Sequence, residues 1–126
     1  MADPEPSGIE RRRHPRFALG CPIEFSGDLI DGKGIAADIS KLGCKIECDK
    51  QVKQGAYLDL RIHMSSEALP LKIEVAVVRW VKQGAFGTEF IVIHPTQKQR
   101  LDELLKILEM LPKDHAPDAS TPPQQG

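Results

Sequence analysis

The sequence predicts an all-β domain of six short antiparallel strands that form a closed or nearly closed barrel, followed by one C-terminal helix. Apolar and polar residues alternate along most of six segments, as expected for strands that bury one face. Turns that contain glycine or proline separate these segments. Many short strands joined by tight turns favour a barrel. The last apolar pattern before residue 112 has the spacing of a helix instead.

Alternation between residues 21 and 49 predicts the first three strands, the second of them running from Gly34 to Ser40. The pairs Gly27-Asp28 and Asp31-Gly32 bracket the turn between the first two. In each strand, every second side chain should face the core. The predicted inward residues are Cys21, Ile23 and Phe25 in the first strand, Ile35, Ala37 and Ile39 in the second, and Cys44, Ile46 and Cys48 in the third.

The remaining strands are predicted at 57–64, 71–81 and 86–93. Leu58, Leu60 and Ile62 should face inward in the first of these. The second is rich in β-branched residues, which favour strands. Gln83-Gly84 turns the chain back into the third.

One helix is predicted at residues 95–111, opened by Pro95-Thr96 and followed by Pro112. An apolar stripe at helical spacing should dock over the mouth of the barrel. A coiled-coil or dimer face is the alternative, although the stripe spans only about one and a half heptads. The stripe consists of Leu101, Leu104, Leu105, Leu108 and Leu111, widened by Ile107.

Length and composition indicate one domain at residues 10–111, flanked by disordered tails at 1–9 and 112–126 that are rich in proline. The N-terminal segment has no apolar h-region, and no apolar run in the chain reaches about 18 residues. These two features predict a cytoplasmic protein that does not insert into membranes. Cys44 and Cys48 would lie about 13 Å apart in a strand, too far for a disulfide. The histidines do not group with the cysteines, so no metal site is expected.

A basic arm at residues 10–16 precedes the first strand. It places four arginines, Arg11, Arg12, Arg13 and Arg16, within six residues of a chain whose net charge is −1. Arginine is always ionised, matches phosphate oxygens and the O6/N7 edge of guanine, and stacks on flat rings. Taken alone, the arm is also compatible with a solvated basic end of a domain.

A second motif, Asp38-Ile39-Ser40-Lys41-Leu42-Gly43, follows 22 residues after Arg16. In an extended segment Asp38 and Ser40 share one face and Ile39 points to the core. Gly43 permits a bend or a close backbone approach. Alone, this Asp-x-Ser-x-x-Gly pattern usually marks a turn between two strands.

Together, Arg-x-x-x-Arg (Arg12, Arg16) and Asp-x-Ser-x-x-Gly resemble the PilZ domain family, and the resemblance runs from about residue 10 to about residue 110. This family implies a six-stranded antiparallel β-barrel that is a receptor for the bacterial second messenger cyclic di-GMP. It further implies a bacterial signalling adaptor that changes conformation on binding and regulates an unknown partner in motility, exopolysaccharide synthesis, pilus assembly or virulence.

The resemblance also implies the roles of the site residues. Arg12 and Arg16 would grip guanine edges and phosphates, and Asp38 would accept hydrogen bonds from guanine N1–H and N2–H₂. Ser40 would bond to the guanine or to a phosphate, and Gly43 would let the backbone approach. Arg13 and Trp80 are further candidates, the latter to stack on a base or to lie half-buried in the barrel.

An arginine just before the first motif tends, in this family, to accompany an intercalated pair of ligands. Arg11 occupies that position. The four positive charges of the arm match the four negative charges of two ligands. We therefore expect two molecules of cyclic di-GMP per chain, with Arg11 capping the stack.

Two other functions compete with the receptor. A nucleic-acid-binding module would use the same arm, but the net charge, the 5% aromatic content and the absence of a basic stripe on the strands disfavour it. A ligand-free barrel that binds proteins would be expected to carry a degraded motif. No Ser/His/Asp grouping or paired carboxylates indicate an enzyme.

Overall fold

The computed structural model describes residues 15–65 and 68–111, which form six strands and one helix. The elements are β1 (Phe17–Gly27), β2 (Asp31–Ile39), β3 (Gly43–Glu47), β4 (Tyr57–Ile62), β5 (Leu71–Lys82), β6 (Ala85–Val92) and α1 (Pro95–Met110). The segments 1–9 and 112–126, for which the sequence predicts disorder, and residues 10–14 of the arm lie outside the described residues.

The six strands close into a barrel in the order β1-β2-β3-β6-β5-β4. All neighbouring strands are antiparallel, and β1 pairs with both β2 and β4 to complete the ring. Every strand therefore has two partners, which leaves no strand edge unpaired. The predicted six-stranded antiparallel barrel with a C-terminal helix is confirmed.

The barrel interior is filled by the inward face of each strand. Phe25 and Phe86 meet edge to face at its centre, with ring centroids 5.3 Å apart and planes at 83°. The predicted inward residues of β4 and the predicted Ile23, Phe25, Cys44 and Ile46 are buried. Cys21 is half-buried and packs against the core, as does Cys48, which lies just beyond the end of β3.

Strand β2 departs from simple alternation. Ala36 and Ile39 are both fully buried, although they are three residues apart, whereas Ile35 is 41% exposed. The pairing of β2 with β3 shifts by one residue between Ala36 and Asp38, so Ala37 forms a β-bulge. The prediction that Ile35 and Ala37 face inward is therefore wrong, because the bulge inverts the alternation within the strand.

Helix α1 packs on the end of the barrel that carries the β4–β5 loop. Leu101 is fully buried, and Leu104, Leu105 and Leu108 pack against the core, which confirms the predicted docking of the apolar stripe. The stripe's last member, Leu111, is the C-cap and is 45% exposed. His94 caps the start of the helix by accepting a hydrogen bond from the Thr96 backbone N–H.

Polar bonds also hold the helix to the β4–β5 loop. Arg100 donates to the backbone carbonyls of Leu69 at 2.6 Å and Pro70 at 3.0 Å. The side-chain oxygen of Gln97 accepts from the backbone N–H of Lys72 at 3.0 Å. These bonds satisfy loop and strand groups that the barrel ladder leaves free, and so fix the helix over the core.

Candidate functional site

Asp38 points out of the barrel because of the bulge at Ala37. Without the extra residue, the side chain two positions after the buried Ala36 would also face inward. The pairing of β1 with β2 is irregular at the same level, between Ala18 and Cys21, where Gly20 has a φ of 77°. Irregularities on both sides of β2 thus aim one carboxylate at the outer surface.

Arg16 and Asp38 form an ion pair at this point. The Arg16 Nε–H donates to Asp38 Oδ1 at 3.1 Å, and Nη2 lies 2.9 Å from the same oxygen. The two side chains are 36% and 29% exposed, so water reaches both. A pair this exposed contributes about 0–1 kcal/mol to stability. The two motifs of the sequence therefore meet in one partly hydrated contact.

Ser40 follows the last residue of β2 and is buried, with an exposure of only 2%. Its hydroxyl accepts from the Leu42 backbone N–H at 3.1 Å and lies 3.4 Å from the Gly43 carbonyl oxygen, to which it donates. The backbone N–H of Ser40 donates to the same carbonyl at 2.8 Å. The Ser40 side chain thus holds the β2–β3 turn, and it does not share the outward face of Asp38 that the sequence predicts.

Gly43 lies in a close backbone contact between β3 and β6. A Cβ atom at this position would lie 2.0 Å from the Thr88 carbonyl oxygen. Thr88 is itself fixed, because its hydroxyl donates to the Cys44 carbonyl at 3.1 Å. The close backbone approach predicted at Gly43 exists, and the neighbouring backbone is that of strand β6.

The strand register places four residues in one line across the outside of the barrel, here called the outer row. Asp38 of β2 pairs with Lys45 of β3, Lys45 with Gly87 of β6, and Gly87 with Trp80 of β5. At about 4.8 Å between strands, the row is roughly 14 Å long. It connects the ion pair at Arg16 with the tryptophan that the sequence suggests as a stacking partner.

The indole of Trp80 lies over Gly87. A Cβ on this glycine would come within 2.1 Å of the indole Nε1. The Lys82 ammonium lies 5.4 Å from the centre of the Trp80 ring, within reach of a cation–π contact. Lys45, Trp80, Lys82 and the β5–β6 turn line a recess of about 370 Å³, together with Glu47. This recess offers an aromatic surface and two ammonium groups to an anionic, planar ligand.

Arg16 and Asp38 are in contact, and Trp80 lies at the other end of the outer row, three strands away from Asp38 around the barrel. Ser40 lies in the β2–β3 turn and Gly43 in the contact between β3 and β6. Arg11, Arg12 and Arg13 lie outside the described residues. Neither sequence motif includes Lys45, although its position between the buried Cys44 and Ile46 marks it as outward-facing.

A second charged cluster lies farther along β1, at the other end of its pairing with β2 from Asp38. Glu24 of β1 faces Lys33 of β2 and Arg61 of β4 in the strand register. His63 Nε2 lies 3.5 Å from Glu24 Oε1 and Arg61 Nε lies 3.4 Å from it. The proximity of His63, and after it that of Arg61, lowers the pKa of the Glu24 carboxyl below its ordinary value of 4.5.

Residues 15–65 and 68–111 contain neither a candidate metal site nor a helix that could span a membrane. No three side chains of His, Cys, Asp or Glu come together there in a way that would hold a metal ion. The helix in this part of the chain is too short and too polar to cross a membrane.

Comparison with known proteins identifies a family and a set of similar folds. A family model described as PilZ domain matches residues 10–106. The PilZ domain of CeSA from a cellulose-synthesizing bacterium is 17% identical, with a TM-score of 0.59 over 75% of this chain and 97% of that one. A comparison with curated proteins finds no significant match.

Two larger proteins share the fold. The Bacillus subtilis inhibitor of motility MotI/DgrA is 19% identical, with a TM-score of 0.64 over 81% of this chain. Escherichia coli YcgR, solved in complex with c-di-GMP, is 15% identical, with a TM-score of 0.64 over 79% of this chain. The matched regions make up 54% and 46% of those two chains, respectively, so this chain corresponds to about half of each.

Proposed function

Because this chain belongs to the PilZ domain family, we propose that it is a receptor for cyclic di-GMP that regulates a partner protein. The observation that carries the proposal is the contact between Arg16 and Asp38, which joins the two motifs on the outer face of the barrel. The complex of YcgR with c-di-GMP adds support from a protein of the same fold.

The chemistry of the pair suits a guanine. The free edge of a guanidinium can donate to the O6 and N7 acceptors, and a carboxylate can accept from N1–H and N2–H₂. Adenine offers neither the O6 acceptor nor that pair of donors. Arg16 already holds one oxygen of Asp38, so donor and acceptor are prearranged before a ligand arrives. Arg12 of the basic arm would add a second guanidinium for a phosphate or a guanine edge.

For Ser40 and Gly43 we propose a supporting role. Ser40 holds the turn after Asp38 through its hydroxyl, and Gly43 permits the close contact of β3 with β6. Together they fix the position of β2, which carries Asp38, relative to β3 and β6. Arg13 and Trp80 remain proposed contacts, the latter as the surface on which a base stacks.

We also propose two ligands per chain, with Arg11 on the exposed face of the stacked guanines. Two cyclic di-GMP molecules carry four negative charges, which the four arginines of the arm balance. Calorimetry should therefore give a ratio near two, and Arg11→Leu should lower it towards one. A wild-type ratio of one would exclude the stacked pair but would leave the receptor function intact.

Parallel titrations test the function itself. Cyclic di-GMP, GTP and single-stranded RNA are each added to the full chain, and binding is followed by calorimetry and by the fluorescence of Trp80, the single tryptophan. We expect binding of cyclic di-GMP only, and loss of most of it in Arg16→Ala. Arg61→Ala is the matched control, since it removes a similarly exposed guanidinium from β4, beside Glu24 and away from Asp38. Preference for RNA would instead indicate the nucleic-acid module, and binding of none of the three would favour the protein-interaction barrel.

A further inference from the structure

Lys45 occupies the centre of the outer row. It is half-buried on β3, one strand away from Asp38 and one strand away from Gly87. Because directly paired residues on one face have Cβ atoms about 5 Å apart, its side chain begins beside the Asp38 carboxylate. No motif of the sequence assigns it a role.

Among residues 15–65 and 68–111, the Lys45 ammonium forms no ion pair, and the one ion pair of Asp38 is with Arg16. Arg16 occupies Oδ1 of Asp38 with two nitrogens. A lysine in such a position buries its methylene stem and keeps its ammonium group in water, so the charge of Lys45 is available to a ligand. An anion that binds at the row would provide the counter-charge.

The surroundings favour a phosphate as that anion. The recess beside Lys45 contains a second ammonium, that of Lys82, and one carboxylate, that of Glu47, farther along β3. Gly87 has no side chain, and the Trp80 indole lies over it next to Lys45 in the same recess. A planar base and a phosphate can therefore occupy neighbouring positions on this surface.

We propose that Lys45 binds a phosphate of the cyclic dinucleotide, an inference that rests on the proposed receptor function. In such a ligand the phosphates lie in the ring that joins the two nucleosides. With one guanine at Arg16 and Asp38, a phosphate on the β3 side of that guanine comes next to Lys45, which pairs with Asp38. Lys45 then forms a charge-assisted hydrogen bond to the phosphate and directs the rest of the ligand along the outer row towards Trp80.

The test compares charge removal at two lysines. Lys45→Gln and Lys45→Met both remove the charge, and Lys45→Arg keeps it. Lys72→Gln is the matched control, because Lys72 is exposed on β5 and pairs with Arg61 on the far side of the barrel. Each full-length variant is titrated with cyclic di-GMP at low and high salt, and its melting temperature is measured without ligand.

We expect both charge-free Lys45 variants to bind about 10- to 100-fold more weakly than wild type at low salt. The difference should shrink at high salt, where charge interactions are screened. Lys45→Arg should retain most of the affinity, and Lys72→Gln should bind as wild type does. Equal affinity of Lys45→Gln and Lys72→Gln, or a loss that salt does not change, would overturn the assignment while leaving the receptor function standing. Failure of the wild type to bind would instead remove the receptor function and this inference with it.

Discussion

Replacing Gly43 by alanine should destabilise the barrel before it affects any ligand. The added Cβ would lie 2.0 Å from the Thr88 carbonyl oxygen, whereas such atoms do not approach closer than 3.0 Å. Strands β3 and β6 would therefore have to separate by about 1 Å at this point. The obstructing atom cannot move aside easily, because it belongs to the backbone of Thr88. The Thr88 side chain is in turn held by its hydrogen bond to the Cys44 carbonyl.

The expected cost follows from the two effects of that separation. Overpacking a close contact costs about 1–3 kcal/mol. Weakening one neighbouring ladder hydrogen bond, such as the one that the Phe90 N–H donates to the Leu42 carbonyl, adds about 1 kcal/mol. The total is about 2–4 kcal/mol, which for a domain of about 100 residues lowers the melting temperature by about 10–30 °C.

Thermal and urea unfolding followed by circular dichroism measure this loss. Gly55→Ala is the control, because a Cβ there meets no atom within 4 Å and only the φ of 90° is strained. Its cost should be about 1–2 kcal/mol. If Gly43→Ala melts at the wild-type temperature and yet fails to bind cyclic di-GMP, Gly43 acts on the ligand directly and the steric reasoning is refuted.

Three further predictions concern other parts of the fold. Burial raises the pKa of the Cys44 thiol to about 12. Iodoacetamide at pH 8 should therefore leave Cys44 unlabelled in the native protein and label it after unfolding, as measured by peptide mass spectrometry. Labelling of native Cys44 would contradict its burial. Because the pKa of Glu24 is lowered in the folded state, its stabilising contribution is present above pH 4.5 and lost as the pH falls below that value. Glu24→Gln should therefore flatten the decline of the urea midpoint in acid, and an unchanged decline would assign it to other groups. Leu101→Ala should cost about 2–5 kcal/mol, since Leu101 is the fully buried anchor of α1; a cost below 1 kcal/mol would mean that the helix contributes little to the core.

Alternation made most of the barrel predictable. Leu58, Leu60 and Ile62 are buried as expected, because a regular strand exposes one face and a two-residue period identifies it. The helix was equally clear, since Leu101, Leu104 and their neighbours recur at a period that no strand has. Strand ends were predicted less closely: β4 ends at Ile62, two residues before the predicted Met64.

The candidate site was predictable only where its residues are close in sequence or belong to a motif. The resemblance assigns Arg16 and Asp38 to one ligand site, and the structure adds that the two side chains form an ion pair. Ser40 was expected to share the face of Asp38, but its hydroxyl is engaged in the β2–β3 turn. That outcome depends on the path of the backbone after Ile39, where the strand ends and simple alternation no longer applies.

The sequence by itself determined the strands, the helix and the two motifs, because each is encoded by neighbouring residues and their local period. The tertiary structure decided which face Asp38 takes and which residues stand beside it. A bulge at Ala37 inverts the alternation, and no local pattern reveals it, since bulges depend on how two strands pair. The same pairing sets Lys45 beside Asp38 and Trp80 across Gly87. Residues so distant along the chain become neighbours only when the register of a closed barrel is fixed.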